Sequence, residues 1–161
     1  MNFLVVTFGI SGSGKTTVSK EYEKEGFVRI CPDDIRKEKT GDISDQSKNA
    51  EVFAEAEYRV LVALKKGKNV IFDSTGLDYV TRKKLQKIAY NTNASPTILI
   101  FTDSRNADTC RERVKKDIEN GIDRANTDSD IIFDKQLRAY LDNISFLEDE
   151  GWDGIVEYEN S

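Results

Sequence analysis

The sequence contains no histidine in its 161 residues. That absence excludes Ser-His-Asp and Cys-His nucleophilic catalysis and imidazole-held zinc, leaving carboxylates, lysine, arginine and bound phosphates as the available chemistry. Cysteine is nearly as scarce. Cys31 and Cys110 are too few for a disulfide framework and show no C-x-x-C spacing. Free thiols in a reducing cytosol are the expectation, and with them a cytoplasmic location. Proline occurs only 2 times, and neither an internal repeat nor a low-complexity stretch interrupts the chain, so a globular rather than a disordered chain is expected. Long apolar runs are missing too: none approaches the ~20 residues that cross a bilayer. The N-terminus enters a strand pattern without the basic region of a signal peptide. Positive charge is in deficit, with 24 Lys and Arg against 29 Asp and Glu, a net charge of −5. A broad non-specific nucleic-acid surface needs the opposite balance, although a small site lined by a few arginines does not.

What is present begins at Gly9. The run Gly9-Ile10-Ser11-Gly12-Ser13-Gly14-Lys15-Thr16 satisfies G-x-x-x-x-G-K-[ST], a phosphate-binding loop. Glycine lets successive backbone N–H groups turn inward around anionic oxygens. Lys15 supplies a mobile charge for the β- and γ-phosphates, and the Thr16 hydroxyl suits Mg²⁺. Context supports the motif. Phe3 to Phe8 is a continuous apolar, β-branched run fit for a central parallel strand, and Thr16 to Lys24 reads as a helix closed by Gly26. Gly12, Ser13, Gly14, Lys15, Thr16 and Thr17 are therefore expected to bind a nucleoside triphosphate.

Further along, Phe27 to Cys31 reads as a short strand stopped by Pro32, with Asp33 or Asp34 capping a brief helical turn through Lys37. Thr40 to Gln46 is a polar connector. A long helix is expected from Ser47 to Lys66, with Val52, Phe53, Ala56, Val60, Leu61 and Leu64 on one apolar face. Asn69 to Asp73 is a strand, Tyr79 to Tyr90 a helix, Thr97 to Phe101 a strand and Ala107 to Lys116 a helix. Asp117 to Asp130 is polar and lid-like, Ile131 to Leu147 helical, and Ile155 to Tyr158 a last strand. Alternating strands and helices predict a single α/β domain over 1–161, a three-layer αβα sandwich with a parallel sheet and a helical lid near 111–130.

Two further groups lie where such a sheet gathers ligands, at the C-terminal ends of its strands. Pro32-Asp33-Asp34-Ile35-Arg36 follows the second strand. A carboxylate there can accept a proton from a hydroxyl while Arg36 holds a phosphate, but the same residues also make an ordinary helix cap with a solvated arginine. Asp73 ends the third strand, where a carboxylate contacts Mg²⁺ or its water shell, or else shapes the turn Asp73-Ser74-Thr75-Gly76.

Together, the Gly9–Thr16 loop, Asp33-Asp34-x-Arg36 and Asp73-x-Thr75-x-Leu77 followed by Arg82 resemble the P-loop kinases typified by polynucleotide 5′-hydroxyl kinase. The resemblance extends to Arg111 and Arg113 and to Glu150-Gly151-Trp152-Asp153. It implies Asp33 as general base, Arg36 on the phosphate beside the acceptor hydroxyl, Asp73 orienting Arg36, and a lid arginine on the donor phosphates. The sequence departs from the pattern where the second lid arginine falls near Lys116 or Asp117, with Arg124 further along able to take its place. Pro32 precedes the first aspartate, and Gly76 replaces an asparagine.

The expectation is an ATP- and Mg²⁺-dependent kinase without a partner phosphatase domain. Its catalytic residues would be Lys15, Asp33, Arg36, Asp73 and Arg124, with Arg113 joining the loop in binding ATP and Thr16 with Asp73 holding the metal. The acceptor implied is a 5′-hydroxyl end of DNA or RNA. A nucleoside, nucleotide, other small metabolite or hydroxymethylated base is the alternative, and an ATP-binding regulatory module a third reading.

Overall fold

The computed structural model describes residues 2–93, 95–103, 106–122, 124 and 130–158. At its centre is β1 (Leu4–Phe8), every residue of which is buried. It pairs in parallel with β3 (Val70–Phe72) on one side and β4 (Thr97–Thr102) on the other. β2 (Val28–Ile30) and β5 (Gly154–Tyr158) form the two edges, giving the order β2-β3-β1-β4-β5 with all neighbours parallel. The expected parallel α/β architecture is therefore observed. Because β1 is buried on both faces, its sequence has no polar alternation, as a central parallel strand requires.

Alternate β1 side chains feed different layers. Leu4 and Val6 join Val70, Phe72 and the buried face of α3 (Asn49–Lys65) and α4 (Tyr79–Asn91). Val5 packs on the opposite side with Ile71, Ile100 and Val18 of α1 (Lys15–Lys24). Phe8 meets Cys110 and Val114 of α5 (Ala107–Glu119) and Phe133 and Tyr140 of α6 (Asp130–Ile144). On α3 the buried stripe is Val52, Ala56, Val60, Ala63 and Leu64. Phe53 and Leu61 stand off it, half-buried. The 3.6-residue period is right, but the stripe is narrower than the apolar residues suggest.

Three local expectations need correction. The turn after β2 is a full helix, α2 (Pro32–Thr40), whose N-cap is Cys31 with no side-chain cap bond. Pro32 occupies the first helical position, where its missing N–H costs nothing. Asp33 and Asp34 therefore sit inside the first turn, favoured by the helix dipole rather than acting as caps. α5 continues past Lys116 to Glu119, so Lys116 and Asp117 are helical. α6 ends at Ile144, and Leu147 enters the core from a separate 3₁₀ turn at Leu147–Asp149. Part of the expected lid, residues 123 and 125–129, lies outside the described residues. Among the described residues no helix is long and apolar enough to cross a membrane.

Candidate active site

The loop between β1 and α1 is built by its own hydrogen bonds. Ser13 N–H donates to Ile10 O at 3.2 Å, and its hydroxyl donates to the same carbonyl at 2.6 Å. The hydroxyls of Ser13 and Thr102 lie 2.5 Å apart. Ser13 is thus committed to the loop interior and does not line the cavity where the other loop residues meet. Gly12 has φ +82°, and a Cβ there would stand 2.2 Å from Cys110 O. Only glycine fits both the backbone and the approach of α5.

Gly14, the N-cap of α1, supplies no side-chain cap. The first amides of α1, lacking intrahelical acceptors, border a cavity of about 180 Å³ lined by Gly12, Gly14, Lys15, Thr16, Thr17, Arg113, Asp117 and Arg124. Arg113 Nη1 donates to Gly12 O at 3.1 Å. Arg124 pairs with Asp117. Lys15 folds back, Nζ donating to Ile10 O at 2.8 Å, and burial pushes its pKa below the ordinary lysine value. Asp73 and Asp33 partly oppose that shift, while Arg124 adds to it. Three cations around glycine-rich backbone fit a polyphosphate. Of the expected donor-side residues, only Ser13 is absent from this cavity.

Asp73 follows directly on β3. Its Oδ2 accepts from Ser19 Oγ at 2.7 Å and from Arg29 Nε and Nη2 at 3.1 and 2.6 Å. Arg29 also reaches Asp34, Nη1 to Oδ2, at 2.9 Å. Burial alone would lower the Arg29 pKa, but Asp73 leads the charges that carry it above its ordinary value. The expectation that Asp73 orients Arg36 is therefore corrected: its arginine partner is Arg29, which no motif singled out. A single carboxylate with the Thr16 hydroxyl is a donor set that suits Mg²⁺, which keeps phosphate and water ligands of its own. Among the described residues no group of three or more metal-ligating Cys, Asp or Glu side chains exists.

Arg36 is buried and held from two sides. Nη1 donates to Asp33 Oδ1 at 2.5 Å, while Nε and Nη2 donate to Asn49 Oδ1 at 3.1 and 2.9 Å. One N–H on each terminal nitrogen is left over, a fork for an anion. Asp33 and Arg36 line a cavity of about 520 Å³ with Ser11, Asp73, Lys135 and Gln136. Gln136 on α6 closes this wall, its Oε1 accepting from Ser11 N–H at 2.9 Å. Asn49, Lys135 and Gln136 were not legible as site residues, because each is an ordinary polar position on its helix.

Arg82 and Gly76 belong to the framework. Arg82 is fully buried, with Nε and Nη2 donating to Glu150 Oε1 and Oε2 at 2.9 and 2.7 Å and Nη1 to Gly76 O at 2.7 Å. Gly76 has φ +62°, and a Cβ would lie 2.2 Å from Thr7 O. Asparagine tolerates such a φ but not this contact. Cys31 is no nucleophile: burial, with Asp73 beside it, pushes its thiol pKa up to about 12.

A parallel sheet of this order with the loop, Lys15 and Asp73 at its C-terminal edge defines a P-loop, nucleotide-binding α/β protein of kinase-like architecture. A family model described as an AAA domain matches residues 4–141, and the chain belongs to that family. Solved structures share the fold across nearly the whole chain. A candidate kinase from Chloroflexus aurantiacus j-10-fl has a TM-score of 0.68 and 17% identity, covering 98% of this chain and 88% of that one. A gluconokinase from Sinorhizobium meliloti 1021 has a TM-score of 0.57 and 20% identity, with 98% and 82% covered. Kti12 from Chaetomium thermophilum, solved with ADP-AlF3, has a TM-score of 0.60 and 17% identity, with 97% and 88% covered. No curated protein matches the chain significantly. The likeness is thus to P-loop kinases broadly and not to polynucleotide kinases in particular.

Proposed function

We propose that this protein is an ATP-dependent phosphotransferase acting on a hydroxyl of a small-molecule acceptor. One observation carries the reading. The Gly9–Thr16 loop is the shared wall of two cavities, with Gly12, Gly14, Lys15 and Thr16 facing the phosphate side and Ser11 facing the side of Asp33 and Arg36. A donor on one side and an acceptor on the other would meet at Lys15.

In this mechanism Asp33, half-exposed and on the acceptor side, takes the proton of the attacking hydroxyl. The hydroxyl oxygen forms the new bond to the γ-phosphorus as the bond to the β-phosphate oxygen breaks, and ADP departs. Lys15, Arg113 and Arg124 neutralise charge on the transferred group. Arg36 anchors an anionic part of the acceptor through its two remaining N–H groups. Thr16 and the unbonded Oδ1 of Asp73 would hold Mg²⁺, which screens the phosphate charge when bound.

The gluconokinase neighbour supports a compact acceptor. The 5′-hydroxyl end of a polynucleotide is a second reading, favoured by Arg36 lying one hydrogen bond from Asp33, since that pair would hold a hydroxyl and an adjacent phosphate together. The test is label transfer from ATP with Mg²⁺ to polyols, sugar acids, nucleosides, nucleoside monophosphates and 5′-hydroxyl oligonucleotides. Asp33→Asn should lower transfer at least a hundredfold while ATP still binds. Undiminished transfer by that variant, or no labelled product from the whole panel, would overturn the reading.

A further inference from the structure

Ile10 and Ser11 share one peptide unit, and its two ends serve different sides of the site. The carbonyl, Ile10 O, accepts from Lys15 Nζ at 2.8 Å and from the Ser13 hydroxyl at 2.6 Å. The amide, Ser11 N–H, is spent outside the loop and donates to Gln136 Oε1 on α6 at 2.9 Å. The peptide is trans and planar, so its C=O and N–H point in opposite directions and turn together. Whatever holds Ser11 N–H therefore also aims the carbonyl on which Lys15 rests.

Gln136 is well placed to hold it. Phe133 and Tyr140, three residues before it and four after, are buried with Phe8, the last residue of β1 before the loop. The rings of Phe8 and Tyr140 lie 5.4 Å apart. α6 is thus docked on the strand end from which the loop departs. Because Oε1 takes the Ser11 proton, the side-chain amide has one orientation, with Nε2 directed elsewhere. Nε2 has no hydrogen-bond partner among the described residues and is not sealed from solvent. The same side chain lines the cavity of Asp33, Arg36 and Lys135.

We infer that Gln136 is a positioning residue that links the two halves of the site. Its Oε1 fixes the Ile10–Ser11 peptide, and through it Lys15, while its Nε2 donates to an oxygen of the bound acceptor. The second bond rests on the reading of that cavity as the acceptor site. An acceptor that engages Nε2 stiffens the amide and with it the peptide that sets where Lys15 stands. Gln136 itself makes and breaks no covalent bond.

Two substitutions separate the two bonds. Gln136→Glu keeps an oxygen for Ser11 N–H but loses the Nε2 donors, whereas Gln136→Met, of similar length, loses both. Kinetics use saturating MgATP and the acceptor that takes label from the panel of polyols, sugar acids, nucleosides, nucleoside monophosphates and 5′-hydroxyl oligonucleotides. Gln136→Glu should raise the acceptor KM about tenfold with kcat within about threefold of the parent. Gln136→Met should raise KM similarly and also lower kcat on the order of tenfold. A side chain that only stabilised the fold would lower Tm in both variants without this split. NMR of the protein alone needs no acceptor. In Gln136→Met the Ser11 amide should exchange with solvent at least about tenfold faster and the Lys15 Cε–Hε resonance should shift, while Gln136→Glu keeps both. An unmoved Lys15 resonance in Gln136→Met, an unchanged acceptor KM in Gln136→Glu, or equal kcat in the two variants overturns the inference. If the resonance moves as expected but no panel member is labelled, the phosphotransfer reading fails and the tie between Gln136 and Lys15 stands.

Discussion

Removing the carboxylate of Glu150 tests how the acceptor wall is held. In Glu150→Ala, Arg82 keeps Gly76 O and Asn143 Oδ1 as acceptors but loses both bonds to its only carboxylate partner among the described residues. The guanidinium is fully buried and cannot turn to water. Stranding a buried charge in this way costs about 3–5 kcal/mol, against roughly 5–15 kcal/mol for a whole domain. For a chain of this size each kcal/mol lowers Tm by about 2–4 °C, so a fall on the order of 10 °C is expected. Trp152 Nε1, which donates to Glu150 Oε1 at 3.0 Å, adds a smaller loss.

The discriminating measurement is a double-mutant cycle by chemical denaturation with Glu150→Ala, Arg82→Met and the pair. Arg82→Met removes the charge itself, so the double variant should be destabilised by at least about 2 kcal/mol less than the two singles added together. Additive singles, or a Glu150→Ala cost under about 1 kcal/mol, would refute the argument that the pair is a coupled buried unit. A functional consequence follows from Gly76. Because Arg82 fixes its carbonyl and Thr75 O accepts from Gly9 N–H at 2.9 Å, the segment after β3 is tied to both the core and the phosphate loop.

Two other perturbations probe the site. Arg29→Met deprives Asp73 of two of its three hydrogen bonds, so kcat for phosphotransfer should fall on the order of tenfold, from about 1.5 kcal/mol of lost charge-assisted bonding, with the KM for ATP little changed. Steady-state kinetics with an unchanged kcat would remove Arg29 from the positioning of Asp73. Lys15 gives a pH prediction. Its folded pKa lies below the ordinary 10.5, so in that window the folded chain holds fewer protons than the unfolded one, and the cost of burying the ammonium fades as pH rises through it. A bound triphosphate raises the pKa again, so binding near the alkaline end should take up a proton. Calorimetry in buffers of different ionisation enthalpy reads that uptake, which should vanish in Lys15→Met; an identical buffer dependence in the variant would refute the assignment.

The donor half was legible because its chemistry is local. Eight consecutive residues contain the glycines, the lysine and the hydroxyl, and the strand and helix around them follow from an apolar run and an uninterrupted helical stretch. Even there the sequence does not show that the Ser13 hydroxyl is engaged by Ile10 O and lies against the Thr102 hydroxyl. The parallel sheet and the layer arrangement followed from alternation of strands and helices, while the strand order did not. The extent of α2 did not, because Pro32 reads equally as a strand stop and as a first helical residue.

The acceptor half was legible only in its anchors, Asp33, Arg36 and Asp73, because the rest is assembled from distant segments. Ser11 meets Gln136 across 125 positions, Asp73 meets Arg29 across 44, and Arg36 meets Asn49 across 13. Each partner is a polar residue with nothing in its neighbours to mark it. Phe53 shows the same limit for an apolar residue: helical periodicity places it within about 100° of Val52, close enough to count as core. Only the sheet's position decides which of the two is covered. That division has a physical reason. A phosphate is bound mainly by backbone amides and one cation, which a short contiguous loop can supply. An acceptor is distinguished by its outline, which takes side chains from several elements, here α2, α3, the segment after β3 and α6. The loop therefore identifies the donor side, and what lies opposite it has to be read from the cleft.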